Sequence, residues 1–122
     1  MANLPYSTRD LIWLGDTREI LSSFPPDVKR SLGFALRAVQ NGETPPIAKP
    51  LTGLGAGVLE LVCASGKNAY RVVYALRIGA NVYVVDVFQK KSKTGRKTPR
   101  EVKSRIDARL KLARAMEKGG VQ

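Results

Sequence analysis

Residues 57–89 hold three apolar runs, GVLELVC (57–63), AYRVVYALRI (69–78) and NVYVVDVFQ (81–89), parted by turns at Ser65-Gly66-Lys67 and Gly79-Ala80. All three are rich in β-branched and aromatic residues. Connectors this short leave no room for a crossover, so the runs form a three-stranded antiparallel meander. Everything else in the chain has to cover that sheet. Alternation sets Leu59, Leu61 and Cys63 on one face of the first strand and Val58, Glu60 and Val62 on the other. In the second strand Tyr70, Val72, Tyr74, Leu76 and Ile78 make the bulkier face. Arg71, Val73, Ala75 and Arg77 oppose them, with both arginines on one side. The third strand is apolar on both faces, so alternation does not fix where Asp86 points.

The flanks read as helices. Val28, Leu32, Ala35, Leu36 and Val39 recur at helical spacing after Pro26, which suits a first helical position, and Asn41-Gly42 makes a C-terminal cap. Ahead of them, residues 11–15 suggest a short strand, with Asp16 capping a helical turn that reaches Phe24. GETPPIAKP (42–50), with its three prolines, reads as irregular. Thr98-Pro99-Arg100-Glu101 has the form of a capping box. It opens a helix whose apolar stripe is Val102, Ile106, Leu110, Ala113 and Met116, ending at Gly119-Gly120. The expectation is one α+β domain over residues 1–122: a small antiparallel sheet, two N-terminal helices and one C-terminal helix. Helices on one face of the sheet would leave the Arg71/Arg77 face at least partly open.

Composition narrows the chemistry. The 122 residues include no histidine and one cysteine. That excludes Ser-His-Asp and Cys-His machinery, imidazole metal ligands and an intrachain disulfide, and no cofactor or metal is implied. A lone cysteine fits a reducing compartment. No run approaches the roughly 18 apolar residues of a membrane span. The start, MANLPYSTRD, lacks the order of a signal peptide. A cytoplasmic chain is expected. Its net charge is +11, and residues 89–118 carry 12 basic residues against three acidic ones. Such single-sign density is an electrostatic footprint for a polyanion, nucleic acid above all.

Several residues invite a chemical role. Gly53, Gly55 and Gly57 in LTGLGAGV could cradle phosphate, but no GK[ST] follows and the next element is a strand, so the segment reads as a turn. Cys63 has no imidazole to activate it and reads as a structural thiol. Glu60 is an isolated carboxylate in an apolar strand, either a general base or a cross-strand partner of Arg71 or Arg77. Arg71, mid-strand, is either that partner or a guanidinium aimed at phosphate. Gln89 to Lys97 follow the third strand and bring Lys90, Lys91, Lys93, Arg96 and Lys97 to one end of the sheet, as a phosphate-contacting loop would.

LTGLGAGVLELV, AYRVVYAL and VYVVDVFQKKSKTGRKTPREV together resemble the RelE/ParE superfamily of bacterial toxins, most nearly its HigB-like, phage-related branch. The most specific pieces are Tyr70, Arg71, Val73 and Tyr74 in one strand, and Phe88, Lys90, Lys91, Ser92, Lys93, Lys97, Thr98 and Pro99 after it. The resemblance implies the toxin of a type II toxin–antitoxin pair. Such toxins cleave mRNA on the ribosome without a metal, the ribose 2′-OH attacking the adjacent phosphate. It carries the family's sheet arginine onto Arg71 and its basic residue after the last strand onto Lys91, with Lys90 beside it. Glu60 is then the candidate proton acceptor, and Lys93, Arg96, Lys97 and Arg77 are candidate contacts to RNA or ribosome. It also implies a cognate antitoxin, of helix-turn-helix type and encoded by an adjacent gene. The chain departs from many relatives at Glu60 or Val62, where they carry a basic residue, and at Asp86, where HigB-like members often have histidine. Two alternatives share the sequence features: a ParE-like inhibitor of DNA gyrase, and a non-catalytic nucleic-acid-binding module.

Overall fold

The computed structural model describes residues 8–91 and 99–120. Their order is β1 (Leu11–Trp13), α1 (Thr17–Ser22), α2 (Pro26–Gln40), β2 (Ala48–Pro50), β3 (Val58–Ser65), β4 (Asn68–Ala75), β5 (Val82–Lys91) and α3 (Arg100–Gly120). The strands form one sheet in the order β1-β5-β4-β3-β2, antiparallel except for β1, which runs parallel to β5. This is the expected α+β architecture around the β3–β4–β5 meander. The β3–β4 hairpin turns on two residues, with Gly66 at φ 63°, a backbone angle that favours glycine.

Two details differ from the sequence reading. Residues 48–50 form the edge strand β2, paired antiparallel with β3. An edge strand is hydrogen-bonded on one side only, so it tolerates a proline such as Pro50 that a central strand would reject. The helices also cover both faces of the sheet rather than one. Val28, Leu32, Leu36 and Val39 of α2 pack on the face of Leu61, Tyr70, Val72, Tyr74, Val82, Val84 and Val87. Ile106, Leu110 and Ala113 of α3 pack on the opposite face, against Val58, Val73, Ala75, Tyr83 and Val85. The second face carries enough apolar area to need its own helix, which is why the α3 stripe exists.

Within the stripe Met116 is exposed, and Glu117 hydrogen-bonds Tyr83 at that end of the helix. Ile78 also departs from its expected face. The strand ends at Ala75, so Leu76 stays with the α2 core while Ile78 joins the α3 core. Asp16 takes the N-cap position of α1 as expected, but its side chain makes no capping hydrogen bond; its carboxylate instead accepts from Arg109 at 3.1 Å. Thr98, the capping residue read for α3, lies outside the described residues.

A bulge in β5 settles the position of Asp86. Val73 pairs with Asp86 but its neighbour Tyr74 pairs with Val84, so Val85 is an extra residue. Val82, Val84 and Val87 therefore face α2, while Tyr83, Val85, Asp86 and Phe88 face α3. There Asp86, buried, accepts from Arg105 Nε and Nη2 at 3.0 and 2.8 Å and from Arg109 Nη1 at 3.0 Å. Arg109 also donates to the Val85 carbonyl at 3.1 Å. Two arginines that the sequence counts toward a polyanion surface thus fasten α3 to β5.

Candidate functional site

The strand register lines up four charged residues obliquely across the α3-side face of the sheet. Lys49 on β2 stands opposite Glu60 on β3. Glu60 pairs with Val73, two residues along β4 from Arg71, and Arg71 pairs with Val62 and with Phe88. Lys90 pairs with Ala69, one step further still. Lys49 and Glu60 are thus direct partners, and Glu60, Arg71 and Lys90 are then offset by two residues from one strand to the next across β3 to β5. Diagonal neighbours of this kind lie about 7–8 Å apart at Cα, within reach of long side chains.

Glu60 and Arg71 close that gap. Arg71 Nη1 donates to Glu60 Oε2 at 3.0 Å, with the two side chains 13% and 7% exposed. The pairing exists because β3 and β4 each put one charged residue into an apolar strand on the same face, where neither could remain without the other. The pair leaves capacity over. Glu60 Oε1 and Arg71 Nε are sequestered from water and hydrogen-bond to nothing among the described residues. Lys90 sits close enough to feel both. Burial, then the Arg71 charge, lower its pKa, and the Glu60 carboxylate opposes that shift. The result is a carboxylate with one unpaired buried oxygen, a guanidinium with one unpaired buried N–H and an ammonium made easier to deprotonate. These are groups able to bind a phosphodiester and to exchange a proton beside it.

The other candidates fall elsewhere. Lys91 is the last residue of β5, opposite Asn68, and its side chain is outside the described set. Lys93, Arg96 and Lys97 also lie outside the described residues. Arg77 is exposed beyond the end of β4, its stem against Gly57, so the structure does not bring it to Arg71. Cys63 is half-buried against the α2 core. Among the described residues, no three His, Cys, Asp or Glu side chains converge to hold a metal ion. No described helix is long and apolar enough to cross a membrane.

Two functional features escaped the sequence reading. Lys49 is exposed and in register with Glu60, but a proline-rich segment gave no sign of a strand. Arg105 and Arg109, counted as free cations, are held by Asp86. An acid in an apolar strand facing arginines at helical i, i+4 spacing was the signal for that.

No curated protein and no solved structure matches the chain. A family model does, described as "Phage derived protein Gp49-like (DUF891)", over residues 19–111. That span runs from α1 through the sheet into α3 and includes Lys49, Glu60, Arg71 and Lys90. The chain therefore belongs to the Gp49-like phage-derived family, a toxin-like module of toxin–antitoxin systems within the RelE/ParE-like superfamily.

Proposed function

We propose that this chain is a HigB-like toxin that cleaves mRNA on the ribosome without a metal ion, halting translation in the cytoplasm. The observation that carries the reading is the sequestered Glu60–Arg71 pair, with one unpaired hydrogen-bonding atom on each partner and Lys90 alongside. A plain structural salt bridge would be expected to spend those atoms internally.

In this reading Arg71 binds a non-bridging oxygen of the scissile phosphate, with Lys90 and Lys91 offsetting its charge. Glu60 Oε1 takes the proton of the 2′-OH as that oxygen bonds to phosphorus. The P–O5′ bond breaks, and the leaving O5′ takes a proton from Lys90 or from water, giving a 2′,3′-cyclic phosphate and a 5′-hydroxyl. Glu60 suits the part because Arg71 holds it through Oε2 while Oε1, buried beside it, has no partner among the described residues. RNA reaches Oε1 only by displacing the side chains around it. Without histidine, proton transfer at this site falls to the carboxylate and a lysine.

Lys93, Arg96, Lys97 and Arg77 supply further contacts to RNA or ribosome. The family implies an antitoxin partner; we take it to be a helix-turn-helix protein encoded next to this chain.

The test is cleavage of mRNA on translating ribosomes by wild type and by Glu60→Gln, Arg71→Ala and Lys91→Ala. Arg71→Ala and Glu60→Gln are expected to lose at least 100-fold in rate, the lower range for an acid–base or charge-stabilising group (about 10² to 10⁴). Undiminished cleavage by Arg71→Ala removes the core of the assignment. DNA damage signalling with intact mRNA would point instead to gyrase.

A further inference from the structure

The turn between β2 and β3 is built on three glycines in a backbone conformation that other residues rarely adopt: Gly53, Gly55 and Gly57 have φ of 87°, 104° and 80°. At two of them an arginine occupies the space a side chain would fill. A Cβ on Gly57 would stand 2.8 Å from Arg77 Cγ, and one on Gly55 would stand 3.0 Å from Arg114 Nη2. Arg77, from beyond β4, lays its aliphatic stem on Gly57, and Arg114, from α3, brings its guanidinium to Gly55, so two distant segments bring arginines to one short turn. Both residues are exposed, and neither makes an ion pair or side-chain hydrogen bond among the described residues. Arg105 and Arg109 of α3, by contrast, both have acidic partners. Among the described backbone hydrogen bonds, none uses the N–H of Gly55, Ala56 or Gly57 as donor.

Two exposed arginines without a described acidic partner, beside backbone amides that donate to no described backbone carbonyl, bring together the charge and the N–H donors that favour phosphate. Glycine at 55 and 57 lets the two arginines approach this closely. Gly57 lies three residues before Glu60 and five before Val62, the register partner of Arg71, so the turn is roughly 10 to 16 Å along the strand from the ion pair. We propose that the Gly53–Gly57 turn with Arg77 and Arg114 is a second phosphate site, which holds the backbone of the bound RNA at a distance from the reacting bond. It rests on the reading of the chain as RNA-binding and adds a docking contact with no part in the chemistry. The exposed guanidinium forks suit a phosphodiester held from outside, whereas a free anion would favour an enclosed pocket.

The test measures binding of a short single-stranded RNA, 2′-O-methylated throughout so that it cannot be cleaved, over a range of salt. Arg77→Gln/Arg114→Gln is expected to bind about tenfold more weakly, with a log–log salt slope shallower by about 0.7 for one lost phosphate contact. Arg77→Lys/Arg114→Lys keeps the charge and is expected to keep most of the slope while losing part of the affinity. Both arginines are exposed and unpaired, so the variants should melt like wild type. Wild-type affinity and slope in the glutamine double variant would overturn the site. So would a defect confined to competition by inorganic phosphate, which would mark a free-anion site. Should wild type cleave no mRNA while the double variant still binds RNA weakly, the nuclease reading falls and this site stands.

Discussion

Replacing Asp86 tests the account of the fold at its most demanding point. The carboxylate is 1% exposed and accepts three hydrogen bonds, two from Arg105 and one from Arg109. Asp86→Asn keeps the volume and removes the charge. Breaking a buried ion pair from one side costs about 3–5 kcal/mol, chiefly because the surviving charge is stranded. Here neither arginine is fully stranded. Arg105 is 41% exposed and can turn to water, and Arg109 keeps the Val85 carbonyl and Asp16. The expected loss is therefore at the lower end, about 3 kcal/mol.

Arg109→Gln leaves the buried carboxylate on Arg105 alone and frees Asp16, for about 2–3 kcal/mol; Arg105→Gln, half in solvent, should cost about 1–2 kcal/mol. The order Asp86→Asn, then Arg109→Gln, then Arg105→Gln is the prediction. Urea unfolding in a common Arg71→Ala background, chosen to spare the expression host, reads it as midpoints at constant m. For a chain of this length the first variant should also melt on the order of 10 °C lower. The reasoning fails if Arg105→Gln costs more than Asp86→Asn, or if Asp86→Asn costs less than about 1 kcal/mol.

Burial and the Arg71 charge lower the Lys90 pKa, so its ammonium is lost at lower pH than an ordinary lysine's. RNA affinity should therefore fall earlier on the alkaline side in wild type than in Lys90→Arg, read as oligonucleotide binding against pH. Burial raises the Tyr74 and Tyr83 phenols to about 12, with Glu117 adding to the shift at Tyr83. The unfolded phenols ionise first, so this stability is whole below pH 10 and is lost as pH rises toward 12. Tyr83→Phe should make that alkaline decline shallower in unfolding measurements. On α2, Leu32 is fully buried and Phe34 is 81% exposed. Leu32→Ala should cost about 2–5 kcal/mol in urea unfolding, and Phe34→Ala less than about 0.5 kcal/mol.

What the sequence made legible depended on how local each signal was. The β3–β4 hairpin could be read because Ser65, Gly66 and Lys67 interrupt two strongly apolar runs. Helix α2 could be read because its stripe, Pro26 and Asn41-Gly42 all agree. Strand β2 could not, since three residues beside prolines become a strand only through the edge that β3 offers them. Likewise, alternation placed Glu60 and Arg71 on one face, yet only the register sets them diagonally and leaves one atom of each unpaired. The two-sided covering of the sheet was implicit in the number of apolar residues on both strand faces. The separation of Arg77 from Arg71 was not, because it follows from the strand ending at Ala75.

The bulge at Val85 joins the architecture to the site. Alternation continued from Val82 and Val84 would have put Asp86, Phe88 and Lys90 on the α2 face. There a carboxylate and an ammonium would meet a core of Leu, Val, Phe and Tyr side chains, at several kcal/mol for each uncompensated charge. One extra residue reverses the phase. The same step that brings Asp86 under Arg105 and Arg109 also brings Lys90 into line with Glu60 and Arg71. It divides the cations of the chain by job as well. Arg105 and Arg109 hold α3 on the sheet and are unavailable to an outside polyanion, and Lys111 pairs with Asp107 along the helix. The attraction for nucleic acid is therefore set less by the total of +11 than by which cations the fold leaves outward. Among the described residues, exposed Lys49 at the sheet edge and exposed Arg77 and Arg114 beside the glycine turn are cations of that kind.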